Sequence, residues 1–92
     1  MRDKIEIKQH GSDEYLVTVI GEEATKHLVR APADYCRQLG NWSAEALIKA
    51  SVDFLLTREP NTTILKTFTL ADIAGYFPDY EQVMTDLAAK EI

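Results

Sequence analysis

One cysteine, Cys36, is the only thiol in this sequence, so no disulfide can close within the chain. A reducing compartment is the simplest home for such a protein. Long apolar runs are also missing: the longest hold about three residues, far short of the roughly 20 that a membrane-spanning helix needs. The opening stretch MRDKIEIKQH lacks the apolar core of a signal peptide, and the expected location is the cytoplasm. There is no Cys-x-x-Cys motif and there are only two histidines, His10 and His27, which falls short of the four ligands at motif spacing that structural zinc requires. Positive charge is scarce, with ten Lys and Arg against fifteen Asp and Glu, a formal net charge of −5. The deficit is uneven. Residues 1–40 carry six basic against seven acidic groups, whereas residues 41–92 carry four against eight. Proteins that grip phosphates concentrate positive charge on one face, so nucleic acid is not the expected partner.

What is present belongs to one globular domain spanning residues 1–92. A chain of this length buries roughly 60–65% of its unfolded surface, enough to fold without covalent staples. Lys4 to Lys8 alternates strictly, with Ile5 and Ile7 on one face and charges on the other. Gly11-Ser12-Asp13 is turn chemistry, and Tyr15 to Ile20 is rich in β-branched and aromatic residues. After Gly21-Glu22-Glu23, Thr25 to Arg30 reads as a third strand. Two short turns between three strands predict an antiparallel meander over residues 1–31.

Residues 32–92 read as helical. Pro32 to Gly40 predicts one or two turns with Tyr35, Cys36 and Leu39 on one face. Trp42 to Pro60, WSAEALIKASVDFLLTREP, predicts the helix around which the chain is organised. Ser43 or Asn41 caps it, and Ala44, Leu47, Ile48, Ser51, Val52 and Leu55 share a face. Phe54 and Leu56 widen that face until the helix is nearly encircled by apolar groups, and Pro60 stops it. A short helix carrying Ile64, Leu65 and Phe68 is expected next. Thr69 and Asp72 have the spacing of a capping box for a helix with Leu70, Ile73, Ala74 and Phe77 inward. Pro78 then begins a last helix with Tyr80, Val83, Met84, Leu87 and Ala88 on one stripe. Strands followed by helices make the expected class α+β, a three-stranded meander with a helical half packed on it.

The segments FLLTREP (Phe54–Pro60), ILKTFTL (Ile64–Leu70) and YFPDYE (Tyr76–Glu81) resemble a pattern shared by a group of small bacterial proteins of uncharacterised function, FLLxREP, ILxxFxL and YFPDYE. The resemblance covers the C-terminal half. It implies a recurring small fold and carries no catalytic residue or activity with it.

Four constellations bear on function. Cys36 with His10 and His27 would need a base beside the thiol to act as a nucleophile, and the plainer reading is a buried cysteine with two surface histidines. Residues 69–90 have the outline of a helix-turn-helix, the basis of an alternative reading as a regulatory protein. The second helix of that unit carries Asp79, Glu81 and Asp86, and Lys90 is its one basic residue. The carboxylates Glu22-Glu23, Asp72, Asp79 and Glu81 fit turns and helix starts better than acid–base work, which leaves an enzyme of unknown reaction as a third reading. The aromatic residues Trp42, Tyr76, Phe77 and Tyr80 are the expected interaction surface. With a central helix that has more apolar surface than one small protomer readily covers, the leading expectation is an interaction or adaptor module, self-associating as a homodimer, with no cofactor.

Overall fold

The computed structural model describes residues 4–90. Three strands, β1 (Lys4–Gln9), β2 (Glu14–Ile20) and β3 (Ala24–Arg30), form the antiparallel meander that the alternating sequence predicts. Period-two patterning settles which side is wet. Tyr15, Val17, Val19, His27 and Val29 are buried on the inner face, with Ile5 and Ile7 half-buried beside them. Lys4, Glu6, Lys8, Lys26 and Arg30 stand on the outer face.

The sheet has a fourth strand that the sequence reading missed. β4 (Thr67–Thr69) pairs in parallel with β3, setting Phe68 against Val29, so the sheet is mixed and its order is β1-β2-β3-β4. The expected helix carrying Ile64, Leu65 and Phe68 does not form. A single 3₁₀ turn at Asn61–Thr63 ends at Ile64, whose ψ of 137° is extended. Thr-Phe-Thr is a β-branched and aromatic triplet, and the open edge of β3 supplies the partner that turns this propensity into a strand.

Helix α1 (Ala33–Gln38) buries Cys36, and α2 (Ala44–Leu56) is the central helix. Ser43 caps α2 by accepting from the Ala46 N–H at 3.2 Å. The helix ends at Leu56, before Pro60, because the Thr57 hydroxyl donates back to the Phe54 carbonyl at 2.6 Å and the Arg58 and Glu59 N–H groups both close onto Leu55. Leu47, Ile48, Ser51, Val52, Phe54 and Leu55 are all buried within the chain's own core. The sheet and α4 cover this helix, so its wide apolar girth is not left for a second protomer. α3 (Leu70–Tyr76) follows β4 directly, and α4 (Tyr80–Lys90) starts two residues after Pro78 and buries Tyr80 and Met84.

Two details fix how the helices meet. At Gly40, with φ of +131°, an added Cβ would lie 2.3 Å from the Ala88 Cβ, so the loop after α1 presses on α4 at a point where only glycine fits. Thr69 N–H donates to Asp72 Oδ2 at 3.1 Å, so one carboxylate both caps α3 and takes the last amide of β4.

Candidate functional site

A groove of about 290 Å³ opens where the end of α2, the 3₁₀ turn, β4 and α3 converge. Leu55, Ile64, Phe68 and Ile73 form its apolar wall, while Leu65 (49% exposed) and Tyr76 (68% exposed) stand open to solvent beside it. Its charged lining groups are Glu59 and Asp72, both carboxylates.

One corner of the groove is braced by Arg58. Its guanidinium grips Asp79 through Nη2 at 2.6 Å and Nη1 at 3.3 Å, and lies 4.4 Å from the Phe54 ring centre and 5.4 Å from that of Phe77. The fork holds the Asp79 carboxyl below the usual carboxylate range. Phe54 meets Phe77 and Tyr80 edge-on at 5.8 and 5.4 Å. Residues from the FLLTREP and YFPDYE segments are thus joined in space, and Arg58 is the group that joins them.

The four expected surface aromatics do not form one surface. Tyr76 and Phe77 line the groove, and Phe77 is half-buried. Trp42 lies on a different, shallower depression with Lys49, Asp53 and Leu87, and its indole N–H donates to the Leu39 carbonyl at 3.2 Å. Tyr80 is not a surface residue at all. It is fully buried, and its hydroxyl lies 2.6 Å from Ser51 Oγ. Ser51 spends its own proton on the Leu47 carbonyl at 2.6 Å, so Tyr80 is the donor to Ser51. Burial pushes the Tyr80 phenol up to about 12.

His27 departs from the surface position expected of it and is 3% exposed. Its Nδ1 lies 2.8 Å from the Leu65 carbonyl, an acceptor only, so Nδ1 carries the proton and Nε2 accepts from the Thr25 hydroxyl at 2.8 Å. Thr25 Oγ1 in turn accepts from Asn61 Nδ2 at 2.9 Å, and the second Asn61 proton reaches the Glu23 carbonyl at 2.8 Å. This chain of bonds stitches the segment before β4 to the meander. Nothing in the local sequence around His27 marks it; its position inward of Lys26 and Leu28 in the strand alternation is the one available signal.

Cys36 and His27 are not brought together. The thiol is buried in α1, its nearest polar partner is the Ala31 carbonyl at 3.9 Å, and burial raises its pKa, the reverse of what a nucleophile needs. Both ring nitrogens of His27 are already engaged, while His10 is exposed in the β1–β2 turn. Among the described residues no three His, Cys, Asp or Glu side chains gather as metal ligands, and no helix is long and apolar enough to cross a membrane. Glu81 accepts from the Tyr35 hydroxyl at 2.6 Å, tying α4 to α1, and Glu22 and Glu23 lie exposed in their turn.

The helix pair α3–α4 is packed through Phe77 and Tyr80 rather than presented outward. The exposed side chains of α4 are Gln82, Thr85, Asp86, Ala89 and Lys90, a set with one cation. Compared with known proteins, the chain matches no family model, no curated protein and no solved structure.

Proposed function

We propose that this chain is a small interaction module that associates with a second copy of itself and offers the α2–α3 groove to a protein partner. The observation that carries this reading is the pair Leu65 and Tyr76, both open to solvent at the rim of an apolar-walled groove. Exposed apolar groups gathered beside a concavity are the usual mark of a recognition surface, and an aromatic at the rim supplies the anchor. The carboxylates Glu59 and Asp72 favour a partner segment that brings an apolar side chain flanked by Lys or Arg. The acidic balance of the chain points the same way. The helix-turn-helix alternative draws no support from the surface of α4, and the enzyme alternative draws none from the separated Cys36 and His27. The apolar girth of α2, which argued for self-association in the sequence, is covered within the chain, so that argument moves to the exposed surface.

Solution mass by light scattering after gel filtration, across a concentration series, tests self-association. A mass of twice 10.4 kDa that resists dilution is the expected result; 10.4 kDa throughout would sink it. For the groove, a Lys-flanked Leu peptide should shift the amide signals of Leu65 and Tyr76, and an Asp-flanked one should not.

A further inference from the structure

We infer that the second copy docks on the free edge of β1, antiparallel about a two-fold axis through Ile7, joining two four-stranded sheets into one. This rests on the self-association reading above and adds the surface and the register. β1 is the end strand of the sheet, and its six residues pair with β2 in unbroken register with no bulge. It holds no proline or glycine, and its charges all stand on the outer face, so it lacks several devices that keep strand edges apart.

The backbone says which residues can pair. His10 N–H donates to the Glu14 carbonyl at 2.8 Å, which places His10 in a hydrogen-bonded pair of the β1–β2 ladder. Alternation along an antiparallel pair then turns the backbone of Lys8, Glu6 and Lys4 toward β2, and that of Gln9, Ile7 and Ile5 outward to the open edge. Two-fold pairing must match outward residues with outward residues and keep the inner face with the inner face.

Charge and overlap select among the registers: centring on Ile5 would also set Lys4 against Glu6, but it runs off the start of β1 and pairs fewer of its residues. Centring on Glu6 sets Glu6 against Glu6 and Lys4 against Lys8, and like charges directly opposite are destabilising. Centring on Ile7 sets Ile7 against Ile7 and Ile5 against Gln9, all with outward N–H and C=O groups. It also places Glu6 opposite Lys8 of the second copy, twice by symmetry, in the close non-hydrogen-bonded pairs. On the inner face, Ile5 and Ile7, half-buried at the margin of the core, gain cover from their counterparts. Every residue this register uses lies within β1.

Charge reversal tests it, since Glu6 and Lys8 are exposed and each substitution leaves the core untouched. Glu6→Lys alone and Lys8→Glu alone should each weaken dimerisation at least tenfold, read by light scattering, with circular dichroism unchanged. An equimolar mixture of the two variant chains should restore the dimer mass, because each Lys then faces a Glu. A wild-type dimer that neither single reversal weakens would overturn the β1 edge while leaving self-association standing. Weakened singles that fail to recombine would overturn the Ile7-centred register. A wild-type monomer at every concentration would remove the self-association reading and this one with it.

Discussion

The His27 imidazole donates from Nδ1 to the Leu65 carbonyl at 2.8 Å, across 38 positions of sequence. The bond joins β3 to the stretch that becomes β4, and it fixes the tautomer in which Nε2 can accept from Thr25. Replacing His27 by Leu leaves the part-buried Leu65 carbonyl and Thr25 hydroxyl each short of a partner. The expected cost is about 2–4 kcal/mol, read from the urea midpoint, and Asn61→Ala should cost part of the same amount. A loss near zero for His27→Leu would mean that the network does not hold β4.

Tyr80 and Ser51 make a second buried pair. Ser51→Ala strands the Tyr80 hydroxyl in the core and should cost about 1–3 kcal/mol, whereas Tyr80→Phe leaves Ser51 still donating to Leu47 and should cost about 1 kcal/mol. The double variant should lose less than the two separate losses together, which a thermodynamic cycle would measure.

Alkali should find the same phenol. Its folded pKa of about 12 lies above the ordinary value of 10.0, so the unfolded chain gives up this proton first. The stability it contributes is intact below pH 10 and drains away as pH rises from about 10 toward 12, a loss on the order of 2 kcal/mol. Denaturant midpoints across that window should fall for the wild type and fall less steeply for Tyr80→Phe.

In acid the sensitive pair is Arg58 and Asp79. The depressed Asp79 pKa means its contribution is present above the unfolded carboxylate value, near pH 4, and fades as pH falls through the folded value. Arg58→Ala should bring the Asp79 titration midpoint, followed by NMR, back up toward that ordinary value. The same change strips the guanidinium from the Phe54 and Phe77 rings, so the Phe77 ring signals should shift as well.

Two glycines should answer oppositely to alanine. Gly40→Ala places a methyl against Ala88 at a positive φ and should destabilise by about 1–3 kcal/mol. Gly75→Ala, inside α3 with open space around it, should stabilise by about 0.5–1 kcal/mol. Thermal melts of the two variants would separate these effects.

The elements legible in the sequence are those whose burial repeats with a local period. The meander and α2 follow directly from alternation in KIEIK and from the spacing of Leu47, Ile48, Ser51, Val52 and Leu55. β4 was not legible, because a three-residue strand has no period of its own and exists through β3, a partner distant in sequence. The same reason hid His27 and Arg58. A histidine in an alternating strand and an arginine after a helix look solvent-facing until Leu65 and Asp79 are brought to them. Of the four aromatics expected at the surface, Tyr76 is the most exposed and Tyr80 entirely enclosed, although the two lie four residues apart. The break between α3 and α4 at Phe77–Asp79 rotates one away from the other, and local spacing alone does not register that turn.

The Asp72 carboxylate that takes the last amide of β4 has a consequence for how far assembly can go. A sheet with two open edges has a valence of two and can add copies without end, as fibrils do. Here β4 is three residues long and its final N–H is bound to Asp72, which leaves β1, among the described residues, as the longer open edge. Under the proposed β1 pairing such a protomer would have a valence of one, and assembly would stop at the pair.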